Sequence, residues 1–200
     1  TSLMAFFNNS IEEVLVFSAS PQNGSERRVI EDRWGCGSRG SVASIGLNMY
    51  FMDQFGFMRS LIQTVNGVQA GTADIPLSDP VADELPGRLN LAQIAKVQAI
   101  AFKDKLYVAY PRDTETENYH VLVYSLARHV WESRWDLDRP VGKWVISNIR
   151  GSGDELWFSD ASTAAADISP KLYRMFPSTY LDNGVMYVYE ESSKALDFLQ

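Results

Sequence analysis

The sequence predicts an all-β fold made of antiparallel meanders that resemble the blades of a β-propeller, with one short helical connector. Aromatic residues are abundant, with 5 Trp, 9 Tyr and 10 Phe in 200 residues, and most lie in short runs shared with β-branched residues. Turns rich in Gly, Asp and Asn separate these runs. Runs such as Val121-Leu122-Val123-Tyr124 are apolar on both strand faces, which predicts sheets covered on both sides. Propeller blades provide this cover, and a two-sheet sandwich ranks second.

Composition and charge narrow the class of protein. The chain is 46% hydrophobic and 22% charged, and its 18 basic and 25 acidic residues give a net charge of -7, which suits one folded domain over residues 1–200. No block of Lys or Arg offsets the acidity, so binding along nucleic-acid phosphates is not expected. A single cysteine, Cys36, excludes a disulfide framework and a multi-cysteine zinc site. No apolar run approaches the roughly 20 residues that span a bilayer, so we expect no membrane insertion.

The first blade is predicted over residues 12–61. Its strand-like runs lie at residues 14–17, 28–31, 42–45, 49–52 and 57–61. The last three runs are joined by tight turns and predict a meander.

A helical connector is predicted over residues 62–93. Ser78-Asp79-Pro80 is a helix-start signal, and Asn90 is a candidate N-cap for the apolar residues that follow it. Each helix has room for one or two turns.

Two further blades are predicted over residues 94–136 and 143–190. The first of these has four strand runs in about 40 residues, the size of one propeller blade. Similar triplets mark one strand in each unit, and each triplet follows a first strand and a turn: Met49-Tyr50-Phe51, Leu106-Tyr107-Val108 and Leu156-Trp157-Phe158.

Three blades do not close a propeller ring, so we expect an incomplete propeller with exposed strand edges. The apolar segments Val14 to Phe17 and Val185 to Tyr189 are the edges of concern. We expect each to pair with the other or with a neighbouring subunit in a ring of identical copies.

Several short motifs resemble the β-propeller tail proteins of tailed bacteriophages, the hub, nozzle or stabilisation proteins near the portal end of the tail. They are Val42-x-x-Ile45-Gly46-x-x-Met49-Tyr50-Phe51, Gly71 to Leu77, Tyr119 to Tyr124 with Trp131, and Leu156 to Asp160. The resemblance covers roughly residues 12 to 190. It implies a non-enzymatic virion protein, without a cofactor, that is assembled in the host cytoplasm into a homo-oligomeric ring around the DNA-ejection channel. Its neighbours would be other tail or portal-proximal proteins, and an acidic inner surface would repel passing DNA.

Candidate chemistry is sparse, and no catalytic, cofactor-binding or metal-binding residue is assigned. The segment Gly35 to Ser41 is glycine-rich but lacks the Lys of a phosphate-binding loop, and we expect a flexible loop. A nucleophilic Cys36 needs a histidine beside it, yet His120 and His129 are predicted to lie in another blade. We therefore expect an inert thiol and two histidines without a metal-ligand set.

Two alternatives stay open: a carbohydrate-binding propeller module and a propeller glycosidase. The glycosidase hypothesis rests on paired carboxylates, for which the candidates are Asp136, Asp138, Asp160, Glu12-Glu13 and Glu190-Glu191. Turn hydrogen bonding is the simpler role for the aspartates. The carbohydrate hypothesis rests on a stacking platform of tryptophans, although core packing is the simpler role for Trp131, Trp135, Trp144 and Trp157.

Overall fold

Antiparallel β-sheets dominate the chain, as the sequence predicts. The structure is a computed structural model, and it describes residues 2–16, 25–46, 48–62, 71–72, 74–148, 153–161, 172–176, 181–182 and 185–186. Every strand pair in these residues is antiparallel, and the strands form five separate sheets. No helix within the described residues is long and apolar enough to cross a membrane.

The first sheet lies at the N-terminus, and its middle strand is β2. It consists of β1 (Ser2–Phe6), β2 (Ile11–Val16) and β3 (Ser25–Glu31). Val14 is paired with Leu3 on one side and with Arg27 on the other. The expectation that Val14 to Phe17 forms a sheet edge is therefore wrong for Val14, because β1 supplies the missing partner; Phe17 lies outside the described residues.

The second sheet follows in the chain and is formed by four strands in sequence order. They are β4 (Ala43–Ile45), β5 (Asn48–Met52), β6 (Met58–Ile62) and β7 (Gly71–Thr72). The predicted single unit over residues 12–61 is thus divided between two sheets, because a 3-10 helix at Arg39–Ser41 separates β3 from β4. Strand β7 lies inside the predicted connector and adds an edge strand to this sheet.

The two short helical turns that the sequence predicts for the connector are both 3-10 helices, at Asp79–Val81 and Leu91–Lys96, and the second extends past the predicted boundary at residue 93. The Asn90 side chain accepts a hydrogen bond from the Ala92 N–H at 3.2 Å, which confirms its capping role. The Ser78 hydroxyl instead accepts from the Met58 N–H at 3.0 Å, and so it ties the connector to the second sheet.

The third sheet is the four-stranded meander predicted within residues 94–136. It consists of β8 (Gln98–Phe102), β9 (Lys105–Tyr110), β10 (His120–Ser125) and β11 (Val130–Asp136). All six residues of β10 are buried, so both faces of this strand are covered.

The predicted third unit, over residues 143–190, is also divided. Its fourth sheet consists of β12 (Val141–Ser147), β13 (Glu155–Asp160) and β14 (Leu172–Arg174), and a separate pair is formed by β15 (Leu181–Asp182) and β16 (Val185–Met186). Val185 and Met186 therefore have a partner strand in the same chain, and the rest of the Val185 to Tyr189 segment lies outside the described residues. The three sequence triplets all lie in the second strand of their sheets, in β5, β9 and β13.

Three apolar clusters join the four larger sheets face to face in chain order. Between the first and second sheets lie Met4, Phe6, Ile11, Ile30, Met49, Phe51 and Leu61. Between the second and third, together with the connector, lie Tyr50, Met52, Met58, Leu85, Leu89, Val97, Leu106, Val108, Tyr110, Leu122 and Tyr124. Between the third and fourth lie Phe102, Tyr107, Ala109, Val121, Val123, Trp144, Leu156 and Phe158.

Alternate residues of a strand face opposite clusters, so the second and third sheets are each buried on both sides. Leu106, Val108, Val121 and Val123 are fully buried, as predicted. Trp157 is not, because Leu156 and Phe158 take the core-facing positions of β13 at 1% and 3% exposure. Its side chain is half-buried on the opposite face.

Candidate functional site

Charged side chains converge where β9, β10 and β11 meet the connector and the loop that joins β9 to β10. This group, called the His120 cluster below, consists of Glu84, Tyr110, Arg112, Glu115, His120, Arg134 and Asp136.

His120 lies between two carboxylates from different elements. It faces Asp136 directly in the antiparallel register of β10 and β11, and its Nδ1 is 2.6 Å from Asp136 Oδ1. On the other side of the ring, Nε2 is 3.0 Å from Glu115 Oε2. Strand pairing and the returning loop thus bring His120 together with carboxylates that are far from it in the sequence.

Glu84 joins the connector to the third sheet. Its carboxylate accepts hydrogen bonds from the Tyr110 hydroxyl at 2.8 Å, from Arg112 at 3.0 Å and from Arg134 at 2.8 Å. Burial and the nearby Glu84 charge raise the pKa of Tyr110. The phenol therefore stays protonated and remains a hydrogen-bond donor to Glu84.

The electrostatics of Asp136 follow from its two partners. Burial alone raises the pKa of this carboxyl, but the His120 hydrogen bond and the Arg134 charge outweigh it, so the pKa is lowered.

At the solvent-exposed rim, the Asp113 carboxylate accepts from two nitrogens of Arg88, at 3.0 and 2.5 Å. This pairing lowers the pKa of Asp113.

The carboxylates of the His120 cluster all contact neighbouring side chains. A glycosidase needs open space between its two carboxyl groups for the scissile bond and, in inverting enzymes, for water. Here the His120 ring fills the space between Glu115 and Asp136, with contacts on both sides. Arg112 and Arg134 are already bonded to Glu84. The cluster therefore joins the connector, the loop and three strands.

Cys36 lies in a packed interior site. Its thiol donates to the Ser38 carbonyl at 2.9 Å, and burial raises its pKa. A protonated, buried thiol is a poor nucleophile. Both histidines lie in or beside the third sheet, as the sequence predicts.

The glycine-rich segment is not the flexible loop that we expected, because it is packed between sheets. Any Cβ on Gly35 would lie 2.1 Å from backbone atoms of Asn8 and Asn9, and one on Gly40 would lie 2.2 Å from the Gln98 amide. The Ser38 hydroxyl lies 2.7 Å from the Val97 carbonyl. The glycines at positions 35 and 40 therefore allow close chain packing.

A second charged group was not found by sequence reasoning. Asp53 and Arg59 form a buried ion pair at 2.6 Å, and the Trp34 ring lies against the guanidinium groups of Arg59 and Arg33, at 3.7 and 4.1 Å from the ring centroid. Asp53 also accepts from the N–H groups of Phe55 and Phe57. The residues between the runs 49–52 and 57–61 predict a tight turn, but nothing in the sequence indicates that Asp53 in this turn pairs with Arg59.

The four candidate tryptophans do not form one platform. Trp131 belongs to the cluster between the second and third sheets. Trp135 and Trp144 flank Tyr107 between the third and fourth sheets, with ring centroids 5.6 and 6.3 Å from it. Trp157 lies on the opposite face of the fourth sheet. The tryptophans are therefore spread over three layers.

The remaining candidates occupy separate places. Asp138 is exposed in the turn after β11, Asp160 lies 3.8 Å from Arg139, and Glu12 pairs with Arg27 on the first sheet. His129 is exposed, with Nδ1 3.5 Å from the Tyr124 hydroxyl. Glu13 is half-buried in β2, and Glu190-Glu191 lie outside the described residues.

In the part of the chain that the structure describes, no group of three or more His, Cys, Asp or Glu side chains is placed to hold a metal ion. No protein-family model matches the sequence, and a search of curated proteins finds no similar sequence.

Proposed function

We propose that this chain is a non-enzymatic structural protein of a bacteriophage tail, in which the four larger sheets act as β-propeller blades and identical copies form a ring around the DNA-ejection channel. The motif resemblance suggests this function. The observation that best supports it is the stacking of four consecutive antiparallel sheets in chain order.

The positions of the first strands support the propeller arrangement. Strand β8 lies against β4 on one side and against β12 on the other, and the Trp144 indole donates to the Gln98 carbonyl at 3.4 Å. First strands that meet in this way are typical of blades around a central axis, whereas a sandwich has only two sheets.

The three first strands β4, β8 and β12 contain Lys143 and no carboxylate. They therefore lend no support to the acidic inner surface that we expected.

The non-enzymatic part of the proposal is supported by the candidate residues themselves. The Cys36 thiol is buried with a raised pKa, and the Asp136 carboxylate is bonded to His120. Neither glycan binding nor glycoside hydrolysis is favoured by a specific observation in the described residues.

The two end sheets provide surfaces on which copies can assemble. On the first sheet, Leu3 and Val29 point away from the core and are 62% and 58% exposed. On the fourth sheet, Val145 and Leu172 also point away from the core, and they are 38% and 51% exposed. The interior sheets bury the corresponding faces, so we propose that the first sheet of one copy packs on the fourth sheet of the next. Such a contact joins unlike surfaces, and it closes into a ring when the rotation per copy permits.

Light scattering and negative-stain electron microscopy test this assembly. The wild-type chain should form a ring with a fixed number of copies, and Leu3→Lys or Leu172→Lys should each reduce it to monomers. Mixing the two variants should give a 1:1 dimer and nothing larger, because each retains one intact end. Ile75→Lys is the matched control, since Ile75 is 71% exposed and lies in the connector region outside the end sheets.

A monomeric wild type, or equal dissociation in the Ile75 variant, would contradict the assembly. The virion location is tested separately by mass spectrometry of purified, nuclease-treated particles of the phage that encodes the chain. Peptides of this chain should be present in them, and their absence would refute a virion role.

A further inference from the structure

We propose that His120 is a proton-dependent clasp that holds the loop over residues 111–119 against the end of β11. The clasp is closed when the imidazole is protonated. This role goes beyond the proposed ring assembly and does not depend on it.

The two contacts of the His120 ring need two N–H donors. Both ring nitrogens face carboxylate oxygens, at 2.6 Å for Asp136 and 3.0 Å for Glu115. Only the imidazolium form has an N–H on each nitrogen, whereas the neutral ring has one donor and one acceptor. A neutral His120 therefore leaves one carboxylate oxygen facing a ring lone pair.

Geometry decides which of the two contacts is lost. The contact with Asp136 is shorter, and cross-strand pairing fixes its position. Asp136 also retains Arg134, whose Nε lies 3.5 Å from Oδ1. Glu115 lies on the loop, and its only other close donor in the described contacts is the Arg112 N–H at 3.4 Å. The remaining proton of a neutral ring therefore stays on Nδ1, and the Glu115 contact is lost.

The surroundings of His120 contain groups of both signs. Tyr110 of β9 contacts the ring with centroids 5.9 Å apart, and the connector supplies Glu84, which binds Tyr110, Arg112 and Arg134. Among the described residues, the charged and titratable groups that interact with His120 or with its partners are Glu84, Tyr110, Arg112, Asp113, Glu115, Arg134 and Asp136. Glu84, Asp113 and Asp136 each have an arginine partner. Glu115 depends mainly on the N–H of His120, so loss of the His120 proton removes its main donor.

Other contacts keep the loop in place when the clasp opens, so the change is local. Asn90 donates to the Glu115 carbonyl at 2.7 Å, and Lys96 donates to the Thr116 carbonyl at 2.7 Å. The expected response is therefore faster exchange of the loop amides, with the sheet amides unchanged.

Hydrogen–deuterium exchange detected by mass spectrometry tests the clasp on the full chain, from about pH 5 to about pH 8. After correction for the intrinsic pH dependence of exchange, peptides over residues 111–119 should exchange about three- to fivefold faster at about pH 8 than at about pH 5. This is the size expected for the loss of a partly exposed ionic contact. The increase should follow the titration of the His120 ring protons measured by NMR. His120→Gln should abolish this pH response, and His129→Gln, which changes the only other histidine, should leave it intact.

Glu115→Gln provides a second test if the His120 variant fails to fold, because Glu115 is only half-buried and its backbone anchor to Asn90 is unaffected. A neutral amide should remove most of the pH response. The clasp is refuted if the loop response persists in either variant, if it disappears in His129→Gln, or if the wild-type loop shows none.

Discussion

Two neighbouring aromatic residues of β13 should differ clearly in their contribution to stability. Phe158 is 3% exposed and lies between Trp144 and Tyr173, with ring centroids 6.0 and 5.5 Å away. Trp157 is half-buried on the other face of the same strand. The larger side chain should therefore be the less important one for the fold of a single chain.

The magnitudes follow from burial. Phe158→Ala removes a buried ring and leaves a cavity between the third and fourth sheets, so the free energy of unfolding should fall by about 3–5 kcal/mol. Trp157→Ala should cost roughly half of the full-burial value, about 2 kcal/mol. Both substitutions lie on the central strand of one sheet, so the strand position is matched.

Urea unfolding followed by far-ultraviolet circular dichroism measures both values, and this signal does not depend on the tryptophan that is removed. The measurements should be made under dilute conditions, and repeated at a second concentration to detect any contribution from assembly. A loss for Trp157→Ala equal to or greater than that for Phe158→Ala would refute the assignment of the two faces of β13.

Three further outcomes are expected. Gly35→Ala should lower stability by about 3 kcal/mol through its clash with the Asn8 backbone, whereas Gly46→Ala, in open space at φ +57°, should cost about 1 kcal/mol; similar thermal shifts would contradict the close packing. Cys36 should react with an alkylating reagent only after unfolding, because burial raises its pKa, and rapid labelling of the native chain would show the site to be open. Because the pKa of Asp136 is lowered, its ionised form stabilises the fold above the ordinary carboxyl pKa of about 4, and this effect is lost as the pH falls through the lowered pKa. Asp136→Asn should therefore reduce the loss of stability on acidification, measured as the free energy of unfolding against pH. An unchanged acid dependence in the variant would refute this contribution.

The sequence alone determined the class of fold and the positions of most strands. Strand formation depends on local properties, namely β-branched and aromatic runs, two-residue periodicity and turn residues, and these are readable in one segment at a time. The four-stranded third sheet, the Asn90 cap and the placement of the three triplets in second strands were predicted in this way. Burial on both faces of β9 and β10 was predicted because both faces of their runs are apolar.

Only the tertiary structure decided which strands share a sheet and which side chains meet. The division of residues 12–61 depends on hydrogen bonds between β1 and β2 and on the 3-10 helix at Arg39–Ser41, and a list of strand-like runs contains no partner information. Either face of an apolar triplet can point to a core, so the orientation of Trp157 was set by the neighbouring sheet. The contacts of His120 with Glu115 and Asp136 arise from strand register and a returning loop. Electrostatic partners of this kind are close in space and distant in sequence, which is why composition and spacing did not predict them.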